Sequence, residues 1–232
     1  DFTLLNGKLS GTVEYYWNTT KDLLINFPVS GVGYSFQYRN LGETENKGID
    51  LTINSTNITN KNFTWNTSIT LSHNKNSVKK LTGEDVQLWE ANFGYSQNTH
   101  IIGVNQPLGQ MYGYVTDGLY QVSDFDYDAA TKTYTLKDGV PYAGEKGNVK
   151  PGMWKFKNID GSKDNKITEA DKTVIGNAYP KIYGGINNTF TYKDFDLSIF
   201  LTYSIGNDVF NATKLTNTKT ALQNKNVLAV AD

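Results

Sequence analysis

Twelve residues in the second half of the chain, DGSKDNKITEAD at 160–171, have the spacing of an oxygen-ligand loop. With Asp160 at position 1, Ser162 falls at 3, Asp164 at 5, Lys166 at 7 through its carbonyl, and Asp171 at 12. Calcium takes six to eight hard oxygens, and this spacing wraps them round one ion. The sixth position, where the chain turns sharply, is Asn165, one of the few non-glycine residues that tolerate left-handed geometry. Ile167 is expected to pin the loop to packing beneath. Asp171 stands where a bidentate Glu is usual. The expected role is a structural staple for calcium, because Met153–Lys157 reads as extended and no helix precedes the loop as in a paired sensor. The competing reading is a surface turn with solvated acids.

Catalytic chemistry finds little support. His73 sits at a strand end and His100 in a polar loop, without a nucleophile or a second His at ligand spacing. There is no Gly-rich phosphate loop, so the chain reads as a non-enzyme with no catalytic residues. Aromatic residues crowd residues 78–180: Trp89, Phe93, Tyr95, Tyr112, Tyr114, Tyr120, Tyr127, Tyr134, Tyr142 and Trp154. Most are expected to build a small core that orders a long insertion. Trp89 and Tyr95 are the candidate substrate contacts, since aromatic faces stack on sugar rings or anchor partners.

The elements that must carry these residues are strands. In 194–204, Phe195, Leu197, Ile199, Leu201 and Tyr203 point one way. Asp194, Asp196, Ser198, Thr202 and Ser204 point the other, with Phe200 the exception. The stretches 8–17, 48–54, 63–74 and 181–192 read likewise; in 63–74 Phe63, Trp65, Thr67, Ile69 and Leu71 share a face. Strands of ~9–11 residues with aromatics near both ends suit a transmembrane β-barrel. Residues 18–46 lose the pattern and read as a loop, 55–62 as a short turn, and 78–180 as a long insertion. The short connections then fall on one side and the long ones on the other, as in outer-membrane barrels, provided that the insertion holds an even number of spanning strands, zero included.

The chain of 232 residues has formal net charge -1, no Cys and no run of 18 apolar residues. These totals give no argument for nucleic acid and exclude a disulfide framework and a transmembrane helix. Five or so strands cannot close a barrel, so the sequence is expected to be an internal piece of a longer protein.

The order of landmarks resembles the C-terminal half of the barrel in SusC/RagA-type TonB-dependent outer-membrane transporters. The landmarks are LLNGKLSGTVEYYWNTTKDLL at 4–24, ENKGIDLTI at 45–53, NQPLGQMYGYVTDGLYQ at 105–121, and the block from PGMWKFKNIDGSKDNK to YSIGNDVFN at 151–211. In that family an acidic DxNxDGxI-type loop precedes a TVIGxxxPK segment and the FDLS strand; Ser162 and Asn165 are departures. The resemblance implies that the whole of 1–232 is part of a 22-stranded all-β antiparallel barrel with long extracellular loops. It further implies uptake of glycans or peptides, a SusD-like surface lipoprotein as lid, and TonB coupling through a region outside this sequence. The alternative from another class is a secreted, soluble all-β calcium-stapled carbohydrate-binding or adhesion module. Its strand faces Leu9/Val13/Trp17 and Phe63/Trp65/Ile69/Leu71 would meet a second sheet instead of lipid.

Overall fold

The computed structural model describes residues 1–28, 36–81, 86–90 and 98–217. Four strands come first: β1 (Phe2–Leu4), β2 (Leu9–Pro28), β3 (Phe36–Thr59) and β4 (Phe63–Lys80). A run of short strands follows: β5 (Val86–Glu90), β6 (Asn98–Gly103), β7 (Gln110–Tyr114), β8 (Thr116–Leu119), β9 (Phe125–Asp128), β10 (Thr133–Leu136), β11 (Tyr142–Ala143), β12 (Trp154–Phe156), β13 (Lys166–Ile167) and β14 (Lys172–Asn177). Two long strands, β15 (Ile182–Tyr192) and β16 (Phe195–Ile205), precede a short helix, α1 (Ala212–Asn217).

β1, β2, β3, β4, β15 and β16 form one antiparallel sheet in that order, an open wall with β4 hydrogen-bonded directly to β15. The insertion therefore contributes no strand to the wall among the described residues, and the short turns share one side. Alternation sets the register. Gly11, Ile53, Ile69, Ile186 and Leu201 lie in one row across five strands; Val13, Leu51, Leu71, Gly184 and Tyr203 lie in the next. Both rows belong to the outward face. Large apolar side chains there are exposed in the chain alone, Val13 at 59%, Trp17 at 61% and Leu201 at 58%, and no second sheet covers them among the described residues. A soluble sandwich would have buried this face.

Aromatic residues bracket the apolar band. Phe63, Trp65, Phe190, Tyr192 and Phe195 cluster next to the short turns, with the Trp65 and Phe190 rings stacked 5.6 Å apart. Tyr15, Trp17 and Tyr203 lie toward the other end. Asn188 and Thr67 place polar side chains opposite each other on the outward face. The Asn188 carbonyl accepts from Trp65 Nε1 at 3.0 Å and Thr67 Oγ1 at 2.7 Å, so it carries its own partners where water is scarce. Two glycines are required by aromatic neighbours. Tyr16 crosses Gly48 to donate to Asn74 Oδ1 at 3.1 Å, and Tyr203 crosses Gly184 to donate to the Thr70 carbonyl at 2.8 Å. A Cβ at either glycine would collide with the tyrosine and with backbone oxygen.

The stretch 18–46 corrects the expected loop. β2 continues to Pro28 and β3 begins at Phe36, paired as far as Pro28↔Phe36 across register shifts near Leu23, where Asp22 has φ 56. Beyond the apolar band both strand faces meet water, so backbone pairing persists while hydrophobic alternation, the signal for a strand, vanishes. β4 likewise runs to Lys80, two residues past the expected start of the insertion.

Candidate functional site

The insertion is ordered by a core of its own. Tyr120, Phe125, Leu136 and Val149 are buried together, with Val140 and Tyr142 packed against them. The Tyr120 hydroxyl donates to the Pro141 carbonyl at 2.6 Å, so its polar end is satisfied. The structure thus uses Tyr120 and Tyr142 as the small core that the aromatic content predicts. Tyr127 and Tyr134 pack on each other at 4.8 Å but stay exposed. Trp89 lies in β5 opposite His100. Phe93 and Tyr95 lie outside the described residues.

The 160–171 loop sits on this core. Ile167 is buried, and β13 pairs in parallel with β11 through Tyr142↔Lys166 and Ala143↔Ile167. Asn165 has φ 57, the left-handed turn expected at the sixth position, and its carbonyl accepts from Tyr142 N–H at 2.9 Å. Short bonds close the acidic stretch. Asp160 Oδ1 accepts from Ser162 N–H at 2.7 Å; Asp164 Oδ1 accepts from Ser162 Oγ at 2.8 Å and Lys166 N–H at 3.0 Å. The Lys166 N–H, then the Ser162 hydroxyl, hold the Asp164 carboxyl below its ordinary range.

Asp171 has a role that spacing did not reveal. Its side chain is fully buried. Oδ2 accepts from Thr168 N–H at 2.8 Å; Oδ1 accepts from Ile159 N–H at 2.7 Å and Asp160 N–H at 3.2 Å. One carboxylate thus fastens the end of the loop to its start. The Thr168 N–H is the main cause that lowers the Asp171 acidity range, joined by the Ile159 and Asp160 N–H groups, and burial opposes them. Thr168 reciprocates by accepting from Ala170 N–H at 3.2 Å. Among the described residues no group of three or more His, Asp or Glu is arranged to hold a metal ion.

Two further polar clusters brace the insertion, and neither stood out in the sequence. Glu169 accepts from Lys172 Nζ at 2.7 Å and from the Tyr114 hydroxyl at 3.1 Å. Lys172, then Tyr114, lowers the Glu169 carboxyl, while burial and then Glu169 push the Tyr114 phenol up to about 12. Lys155 lies between Asp117 and Asp124 at 3.4 and 3.6 Å. The i,i+3 spacing of Glu169 and Lys172 was the one sequence signal available; the other partners are distant in the chain.

Below the insertion, the inner face of the wall is a ribbon of uncharged polar groups. Ser10, Asn54, Ser68 and Asn187 lie in one row, and Thr56, Asn66, Thr189 and Ser198 in the next. Ser198 Oγ donates to Asn187 Oδ1 at 2.9 Å. Glu14 and Asp50 face each other nearer the insertion, and Asp196 accepts from Thr191 Oγ1 at 2.7 Å. Phe200, the apolar exception of its strand, lies over Gly185 on this face.

An antiparallel wall that is apolar outside, polar inside and girdled by aromatics, with its short turns on one side and the long insertion on the other, is the wall of a membrane β-barrel. The chain belongs to the TonB-dependent receptor β-barrel family: residues 2–188 match the family model described as TonB dependent receptor-like, beta-barrel. It is 36% identical over 218 residues to TonB-dependent receptor P3 of Formosa agariphila, covering 93% of this chain and 20% of the relative. It is 28% identical over 215 residues to TonB-dependent receptor SusC of Bacteroides thetaiotaomicron, covering 90% and 19%. The chain thus spans about a fifth of the length of these curated relatives. Its fold matches the solved RagAB peptide importer in the open-open state, with TM-score 0.62 and 21% identity over 88% of this chain and 19% of that one. Members of this family are outer-membrane β-barrels, and the antiparallel fold expected from alternation stands, with the sheet left open.

Proposed function

We propose that this chain forms wall and extracellular loops of an outer-membrane importer for glycans, working with a SusD-like surface lipoprotein and driven through TonB. The observation that carries this reading is the inner ribbon of Asn, Ser and Thr beneath an ordered insertion. Amides and hydroxyls both donate and accept, which suits a hydroxyl-rich neutral cargo. The RagAB structures are described as a peptide importer, which keeps peptides as the competing cargo. The test is to isolate the full-length protein from its own outer membranes and identify what co-purifies. We expect a heat-modifiable barrel together with a surface lipoprotein, and binding of neutral oligosaccharides in preference to peptides. Recovery as a soluble monomer would overturn the importer; binding of peptides alone would overturn the cargo.

We further infer that the 160–171 loop takes calcium. The ligands would be Asp160, Ser162, Asp164 and the Lys166 carbonyl, with Asp171 contributing least because its oxygens already accept three N–H groups. The left-handed Asn165 and the shared contact of Ser162 with Asp164 support this reading. Calcium added to the full-length protein in detergent is expected to slow proteolysis of the insertion, and chelator to reverse this. The D160N/D164N double variant should not respond. Equal cleavage with and without calcium would reduce the loop to a self-bonded turn.

A further inference from the structure

On the outward face, just past Trp17, four charged side chains converge. Lys47 and Lys79 reach Glu45 Oε1 at 3.0 and 3.3 Å. Trp17 Nε1 donates to Glu45 Oε2 at 2.7 Å, and Lys47 Nζ lies 4.1 Å over the Trp17 ring. Lys75 stands directly across from Lys47 on the neighbouring strand and has no carboxylate partner among the described residues. These residues, with Ser77 and Asn105, line one shallow cleft.

The charges do not balance. Three ammonium groups share one carboxylate, and like charges directly opposite across a strand pair are unfavourable. The cluster would be completed by an anion with several acceptor oxygens, which Ser77 can also serve by donating its hydroxyl. Depth says where that anion comes from. Lys75 lies ten residues beyond Trp65 along β4, counted from the numbering. At ~3.4 Å per residue and a tilt of ~35–45°, this is about 25 Å along the barrel axis, the height of the apolar band. Trp65 marks the lower girdle and Trp17 the upper, so the lysines stand at the outer rim of the band. They lie on β3 and β4, which stay paired along this stretch, and past Ser72 the other side of β4 is met by Asn105 and Gln106 instead of β15.

We propose that Lys47, Lys75 and Lys79 bind the phosphate of a phosphorylated lipid headgroup in the outer leaflet. The inference rests on the outer-membrane reading of the full protein. The test uses full-length protein in neutral detergent, with lipid A, chemically dephosphorylated lipid A and inorganic phosphate as probes, and native mass spectrometry as readout. Wild-type protein is expected to retain phosphorylated lipid A through detergent exchange. The K47Q/K75Q/K79Q variant should retain at least tenfold less, and the dephosphorylated lipid should bind wild type no better than that variant. Should the triple variant fail to assemble, two single changes keep the test: K75Q should weaken retention, and E45Q, which removes the competing carboxylate, should strengthen it. Equal retention in all variants, or equal binding of both lipid forms, would overturn the site. Inorganic phosphate displacing the lipid completely at millimolar concentration would assign the cleft to free anions instead. Recovery of the protein outside the outer membrane would instead refute the reading on which the site rests.

Discussion

Replacing Ile69 by Arg is expected to lower the folding equilibrium constant of the barrel in lipid by more than tenfold, whereas Ser68→Arg, one residue away, leaves it near wild type. Ile69 is flanked by Ile53 and Ile186 in the outward row. It lies four residues from Trp65 and six from Lys75, near the middle of the apolar band. A cationic side chain on the lipid face at that depth costs ~2–4 kcal/mol, which lowers the folded/unfolded ratio by more than tenfold. Ser68 faces Asn54 and Asn187 on the polar side, where a guanidinium finds water and acceptors. Denaturant unfolding of the full-length barrel in lipid vesicles, followed by the loss of heat-modifiable protein, is the readout. The reverse order of sensitivity would mean that the sheet is turned the other way, and equal tolerance would mean that no lipid meets this face.

The second large effect is at Asp171. Asp171→Ala removes a buried carboxylate and strips three part-buried N–H groups, those of Ile159, Asp160 and Thr168, of their acceptor. Leaving part-buried donors without their acceptor costs on the order of 3 kcal/mol in total. We expect the insertion to lose its order while the wall survives, because β4 pairs with β15 without it. Limited proteolysis of the full-length protein should then cut within 81–181 and leave a heat-modifiable barrel. Asp171→Asn, which keeps one carbonyl acceptor, should lie between the two. The acid response follows from the same bonds. Asp171, Asp164 and Glu169 all have lowered carboxyl pKa values, so their stabilisation is complete above the unfolded carboxylate range near 4. It is lost as pH falls through their folded values, which lie lower still. The insertion should therefore resist mild acid, and D171A should abolish much of that resistance. Cleavage of wild type and D171A at the same rate would refute the anchoring role.

What the sequence determined by itself was the part of the wall that sits between two different solvents. In 8–17, 48–54, 63–74 and 181–204, lipid on one face and water on the other impose period two on side-chain type, so facing and aromatic girdles were legible, while the register was not. The left-handed turn at Asn165 and the packing of Ile167 were legible too, because local backbone geometry restricts residue type. Tertiary structure decided the rest. The upper halves of β2 and β3 are held by backbone pairing that any side chains permit, so 18–46 carried no strand signal. The core of Tyr120, Phe125, Leu136 and Val149 is gathered from short segments whose apolar residues have no common period. Glu45, Lys47, Lys75 and Lys79 meet only because those extended strands lie in register. Asp171 occupies the ligand-like twelfth position of its loop, yet its oxygens went to backbone N–H groups at the loop's start. That choice depends on how the chain returns on itself, and residue spacing does not encode it.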